Sequence, residues 1–213
     1  MRLDKRLFEI LQCPFCTGKL IGSGDVLVCG HCDHQYGLQN GIPNLAIFES
    51  AADSDAFNKT QALYEKELHD EEARHDYEAS VVKVFGTKTR LMAKQWARTI
   101  SSISSRSSGD IKVLDYGCGT GQLSRVLSRA ISPLFAFDIS PVSVQRNVSE
   151  NHVLACTANA FFLPFKDKTF DAVCINGVLH HIVDLDRAVA EIARITRGGA
   201  YLLRKGFLDL LRA

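Results

Sequence analysis

The sequence predicts an α/β protein: a parallel sheet of about five strands, preceded by a small cysteine-bearing module and a helical connector. Three observations predict it. From Ile111 onward, short apolar runs alternate with helical stretches, the pattern of βαβ units whose strands are buried on both faces. Cys13-Pro-Phe-Cys16 and Cys29-Gly-His-Cys32 form two CxxC pairs near the start, a spacing suited to metal thiolates. Residues 50–105 between these regions have helical period and dense charge. The division implied is a module at 1–48, a helical connector and lid at 49–109, and a sheet domain at 110–213.

Composition excludes several classes. With 213 residues, 46% apolar and 23% charged, the chain can bury a real core and is neither disordered nor fibrous. Its net charge of +1 provides no general field for nucleic acid or anionic membrane. Residues 111–213 carry 12 basic and 9 acidic side chains, too mild an excess to argue for RNA. No apolar run approaches the roughly 20 residues of a membrane helix, so no membrane span is expected. MRLDKRLFEILQC has charges within its apolar stretch and does not read as a secretory signal. Seven cysteines, four of them in CxxC pairs, suggest metal thiolates in a reducing cytoplasm.

In the first module Leu3, Leu7, Ile10 and Leu11 recur at helical spacing until Cys13-Pro14 ends the period. Strand-like pieces at Lys19–Ile21 and Asp25–Cys29 flank Gly22-Ser23-Gly24, and Gly41-Ile42-Pro43-Asn44 reads as a closing turn. In the connector, Phe57–Ser80 contains ELHDEEARHDYE, a solvated helix face. A second helix is expected over Thr87–Ile103, with Leu91, Met92, Trp96, Thr99 and Ile103 along one side, followed by a serine-rich link. Tyr77 is a candidate lid residue.

The sheet domain offers strands at Ile111–Asp115, Leu134–Asp138, Val153–Thr157, Asp171–Asn176 and Ala200–Leu203. Helices are expected at Gly121–Ala130, Pro141–Glu150 and Asp184–Thr196. Leu185, Ala188, Val189, Ile192 and Ile195 make the last helix amphipathic, and Gly198-Gly199 stops it.

Four cysteines as two CxxC turns twelve residues apart can surround one tetrahedral ion. Thiolates are natural zinc ligands, and a site closed by four of them is structural. So small an apolar module needs its metal to fold. A redox pair is the alternative; His31 and His34 are read as surface residues. LFEILQCPFC, LVCGHCDHQYGL and NGIPNL together resemble the zinc-ribbon family of tRNA-methyltransferase activators over residues 3–46. That resemblance implies a module acting with a methyltransferase, as a partner or in the same chain.

Asp115-Tyr-Gly117-Cys-Gly119-Thr-Gly121 follows the first strand and opens a helix. Glycines at alternate positions let backbone approach a ligand where a Cβ would collide. Dinucleotide loops seat a phosphate on the helix terminus; here an acid precedes the first glycine. A carboxylate repels phosphate but pairs with an ammonium. S-adenosylmethionine has that ammonium and no phosphate. Asp138, ending the second strand, can accept from both ribose hydroxyls; its other reading is a cap for the next helix.

These motifs, with Asn159 to Phe165, Phe170 to Asn176 and Leu179-His180-His181, resemble the class I S-adenosylmethionine-dependent methyltransferases, the quinone-biosynthesis-like subgroup in particular, over about Ile111–Leu203. The resemblance implies a Rossmann-like sheet. It also implies a cofactor site of Asp115, Gly117, Gly119, Gly121, Asp138, Asn159, Ala160 and Asn176. Asn159 stands where the family usually has an aspartate for the adenine amino group, and keeps a carbonyl acceptor. Ala160 would offer its backbone N–H to the ring, and Asn176 with Gly177 would lie beside the reactive methyl.

His181 is the candidate general base for a hydroxyl or acidic-carbon acceptor; the alternative is that His180 and His181 merely pack the following helix. INGVLHH lacks the Asn/Asp-Pro-Pro-aromatic ending of amino-group methylases, and no Pro-Cys nucleophile is present. Cys118, Cys156 and Cys174 read as small buried residues. The family sheet continues beyond the fifth strand, whereas only RKGFLDLLRA follows Leu203 here, so the domain is expected to be C-terminally incomplete. The function expected is methyl transfer from S-adenosylmethionine to a small-molecule or lipid-like acceptor. The alternatives are methylation of rRNA or tRNA, and a non-catalytic zinc-ribbon adaptor for a partner methyltransferase.

Overall fold

The computed structural model describes residues 3–48, 56–75, 77–104 and 111–205. Helix α1 (Lys5–Ile10) starts at Asp4, whose carboxylate accepts from the Arg6 N–H, and buries Leu7 and Ile10. Four short antiparallel strands follow in sequential order: β1 (Leu20–Ser23), β2 (Val26–Cys29), β3 (Gln35–Gln39) and β4 (Ile42–Pro43). The last two go beyond the sequence reading, which saw only a closing turn. Asn40 and Gly41 both have positive φ (54° and 80°). An Asn-Gly pair in that conformation makes a two-residue hairpin, so the chain turns back and pairs.

The connector is two helices, α2 (Ala56–Arg74) and α3 (Tyr77–Ser104). The first helix therefore ends at Arg74, short of the expected Ser80, and the second begins at Tyr77, well before Thr87. The buried face of α3 is Ala93, Trp96, Ala97 and Ile100, whereas Leu91 is 64% exposed. The side chains of Tyr77 and Ile103 and the link at 105–110 lie outside the described residues.

The larger sheet is β5 (Val113–Tyr116), β6 (Leu134–Asp138), β7 (Leu154–Thr157), β8 (Phe170–Asn176) and β9 (Thr196–Lys205), in the order β7-β6-β5-β8-β9 and parallel throughout. Between them run α4 (Ser124–Leu127), α5 (Pro141–Asn151) and α6 (Leu185–Ile195). Ser140 caps α5 and Asp184 caps α6 through side-chain oxygens. Helix α4 is far shorter than Gly121–Ala130. Strand β9 begins at Thr196, so Gly198-Gly199 lies inside a strand and the helix has already ended at Ile195. The chain moves outward from β5 to β7, then returns to β8 on the other side of β5. That reversal opens a crevice at the carboxyl ends of the strands.

The amino-terminal module is welded to this sheet. Leu45 N–H donates to Thr157 O at 2.8 Å, extending the β7 edge, while Gln12 N–H donates to Pro164 O and Lys166 N–H to Ile10 O at 2.8 and 3.0 Å. Leu7, Ile10, Leu11 and Leu45 share one apolar cluster with Phe137, Phe165 and Phe170. A strand edge that would otherwise offer unpaired backbone groups is thereby covered. The Arg194 guanidinium fixes the 163–165 segment by donating to Leu163 O and Phe165 O, while pairing with Glu191 and Asp167.

Candidate functional site

Cys13 Sγ and Cys32 Sγ lie 3.7 Å apart, Cys16 Sγ and Cys29 Sγ 3.5 Å, and all four sulfurs fall within 4.8 Å of one another. Tetrahedral zinc with bonds of about 2.3 Å separates its sulfurs by about 3.8 Å, so the donor set fits structural zinc. Gly18 belongs to this fit: a Cβ there would meet Cys29 Sγ at 2.8 Å. Burial pushes Cys16 up to about 12; at Cys29 burial acts the same way, but the N–H groups of Cys32 and His31 outweigh it and bring the thiol to about 7. Thiols so crowded ionise together only around a cation. The Tyr36 hydroxyl, 3.1 Å from Cys13 Sγ, adds a further polar contact.

At the carboxyl end of β5, Gly117, Gly119 and Gly121 have φ of 63°, 51° and 99°, all in the left-handed region that side chains avoid. A Cβ on Gly117 would sit 2.6 Å from Val178 Cγ2. Asp115, Gly117, Gly119, Asp138, Asn159, Ala160, Asn176 and His181 line a single cavity of about 520 Å³. Gly121 is not on its wall. A Cβ there would meet Asn147 Oδ1 at 2.3 Å and Asn151 Nδ2 at 2.4 Å, so this glycine serves the packing of the loop on α5.

Asp115 is 1% exposed and accepts a 2.6 Å hydrogen bond from the Ser124 hydroxyl. Burial pushes its carboxyl up to about 7; the Ser124 hydroxyl opposes this and the neighbouring Asp138 charge reinforces it. Among the described residues no cation pairs with it. Asp138 accepts from Gly119 N–H at 2.8 Å and Ser140 N–H at 3.0 Å, which ties the glycine loop to the second strand. Burial raises its carboxyl against the Ser140 N–H. A buried acid with no paired cation among the described residues, beside a cradle of positive-φ glycines, fits a ligand ammonium.

Asn159 has a second attachment. Its Oδ1 accepts from Phe161 N–H at 3.1 Å, and its Nδ2 donates to Ile47 O at 3.0 Å. A carboxylate could not make the latter bond. The departure from the family aspartate thus ties the cavity wall to the segment leaving the cysteine module.

Five cavity residues come from α2, Gln61, Ala62, Glu65, His69 and Glu72, the last two within the ELHDEEARHDYE stretch that reads as a solvated face. Helix α2 is drawn over the mouth by Asp70, which bonds Ser140 Oγ and pairs with Lys66. Glu65 Oε2 then lies 3.2 Å from His181 Nδ1 and 3.6 Å from His69 Nε2. The i,i+4 spacing of Gln61, Glu65 and His69 was the available signal. Burial holds the His180 imidazole below its ordinary value, reinforced by the positive field of His181. Cys118, Cys156 and Cys174 are buried, as expected.

Comparison with known proteins agrees segment by segment. Residues 114–203 match the family described as methyltransferase domain, and residues 4–41 match the Trm112p-like protein family. The chain is 34% identical over 116 residues to a demethylmenaquinone methyltransferase of Thermobifida fusca, covering 52% of this chain and 49% of that one. It is 34% identical over 119 residues to a ubiquinone/menaquinone biosynthesis C-methyltransferase of Saccharophagus degradans (51% and 47%), and 31% identical over 118 residues to a probable tRNA methyltransferase 9B of Mus musculus (54% and 26%). The chain spans about half the length of the first two of these relatives. Among solved structures, one chain from the complex between the Haloferax volcanii Trm112 methyltransferase activator and a candidate methyltransferase aligns at 22% identity, with a TM-score of 0.49, over 62% of this chain and 57% of that one. Residues 114–203 are thus similar to the methyltransferase-domain family and residues 4–41 to the Trm112p-like family, the two resemblances joined in one chain.

Proposed function

We propose that this chain is an S-adenosylmethionine-dependent methyltransferase acting on a small-molecule or lipid-like acceptor, with a resident structural zinc in its amino-terminal module. One observation carries the reading: the 520 Å³ cavity is lined by a buried Asp115, with which no cation among the described residues pairs, together with the glycine loop, Asp138 and Asn176. That volume suits a nucleoside-sized ligand. Asp115 would hold the amino-acid ammonium and Asp138 the ribose hydroxyls. The Asn159 carbonyl and the Ala160 N–H would meet the adenine. When bound, the cofactor supplies an electrophilic methyl on sulfur; the chain itself supplies approximation and the exclusion of water.

His181 would take the acceptor proton. The Glu65 carboxylate, with Oε2 3.2 Å from Nδ1, would stabilise the imidazolium that forms. The apolar side of the cavity (Phe137, Phe161, Val178, Ile182) suits a hydrophobic acceptor. Calorimetric titration of S-adenosylmethionine tests the site. Asp115→Ala and Asp138→Ala should each weaken binding at least tenfold, and unchanged binding in both would refute the assignment.

A second reading, methylation of RNA, is favoured by the Trm112p-like segment and the tRNA-methyltransferase relative. Transfer of a labelled methyl to purified tRNA or rRNA, compared with quinol-like phenols, decides between them. The net charge of +1 argues for the small molecule.

A further inference from the structure

We propose that Glu65, His69 and His181 form a second metal site, distinct from the four cysteines, which takes a zinc-like divalent first-row cation at the mouth of the cavity. Two residues one helical turn apart on α2 supply a carboxylate and an imidazole, and the segment after β8 supplies the second imidazole. Glu65 Oε2, a His69 ring nitrogen and a His181 ring nitrogen lie within 4.8 Å of one another.

The distances suit a shared ion. Bonds of about 2.1 Å to nitrogen and oxygen place neighbouring ligand atoms about 3.0 to 3.4 Å apart. The observed separations from Glu65 Oε2 are 3.2 Å to His181 Nδ1 and 3.6 Å to His69 Nε2. Neither approach satisfies hydrogen-bond geometry, and Oε2 is buried with no hydrogen-bond partner among the described residues. An ion between the three atoms would account for a buried oxygen facing two ring nitrogens without bonding either.

The surrounding groups are those a metal site needs. Gln61 donates to Glu65 Oε1 at 2.9 Å, fixing the carboxylate and leaving Oε2 for the ion. The Nδ1–H of His69 meets Glu72 Oε2 at 3.0 Å, which places that proton on Nδ1 and the lone pair on Nε2, facing the cluster. A carboxylate behind a ligating histidine orients the ring and raises its basicity. Two imidazoles and one carboxylate leave coordination positions open toward the cavity.

The site bears on the proposed chemistry without depending on it. With a metal on Nδ1, the His181 imidazole carries its own proton on Nε2 and has no lone pair left for the acceptor proton. A loaded site therefore removes the proposed base, and added zinc should inhibit methyl transfer.

The experiment is a Co²⁺ titration of the full chain with zinc already in the cysteine site, following visible absorption and metal content. One further equivalent should bind, with a weak visible band and no thiolate charge transfer in the near ultraviolet. His69→Ala and Glu65→Gln should each lower its affinity at least tenfold, and Glu72→Gln by a smaller factor, while the cysteine zinc stays at one per chain and reports that the fold persists. Absence of the extra equivalent, or its undiminished binding in both His69→Ala and Glu65→Gln, overturns the site. Binding of S-adenosylmethionine is measured separately, so loss of one result leaves the other standing.

Discussion

Replacing Asp115 with asparagine separates the stability of this fold from its proposed activity. Burial pushes the carboxyl up to about 7 from an ordinary 3.8. Three pKa steps at 1.36 kcal/mol each put the cost of the ionised form on the order of 4 kcal/mol. Because the folded value is raised, the stability this acid retains is fully present below 3.8 and is lost as pH rises toward 7. Asparagine does not titrate, and its oxygen can still accept the Ser124 hydroxyl. The ligand-free variant should therefore exceed the parent in stability by roughly 4 kcal/mol at pH 8, and by only about 2 at pH 5. Cofactor binding should move the other way. An ammonium selects the carboxylate, so parent affinity should rise about tenfold per pH step up to 7 and then level off, whereas the variant should bind weakly with no such slope. Urea denaturation at the two pH values and calorimetry across them measure both effects. Equal stability at both pH values, or the same affinity slope in both proteins, would refute the idea that a desolvated charge waits here for a cation.

Three further outcomes are expected. Asn159→Asp removes the donor to Ile47 O and sets an acceptor against a carbonyl; denaturation should show a loss of about 1 to 3 kcal/mol, even though the change restores the acid usual in the family. Cys13→Ser, or chelation of the metal, should release about one zinc per chain by metal analysis; because Leu7, Ile10 and Leu11 share a core with Phe165 and Phe170, the melting temperature of the whole chain should fall with it. Gly121→Ala forces a Cβ against Asn147 at a φ of 99°, and thermal unfolding should report a loss of about 1 to 3 kcal/mol, larger than any direct effect on a ligand, since this residue is not on the cavity wall.

Local chemistry was legible in the sequence. The alternate glycines after Asp115 can be read because positive φ is a property of single residues, and the CxxC pairs because a tight turn and a thiolate suffice to define them. The five strands of the sheet were found for the same reason, through apolar runs that only a two-sided core requires. Errors arose where a neighbour outside the window decided. Gly198-Gly199 reads as a stop but lies within β9, between the pairs Phe170–Thr196 and Ala172–Tyr201, at a register shift of the kind where a strand admits glycine. Of the side bearing Leu91, Met92 and Trp96, the docking of α3 buries Trp96 together with Ala93, Ala97 and Ile100 and leaves Leu91 64% exposed.

The sequence by itself determined that four thiols and an acid-led glycine loop share this chain, for both are written in consecutive residues whose backbone demands are local. Tertiary structure alone decided that Glu65 and His69, on a helix that reads as a solvated face, cover the cavity beside His181, and that Asn159 answers to Ile47. The reason is physical: a charged side chain has no intrinsic destination, and its role is set by what the packing of distant segments brings within about 3 Å.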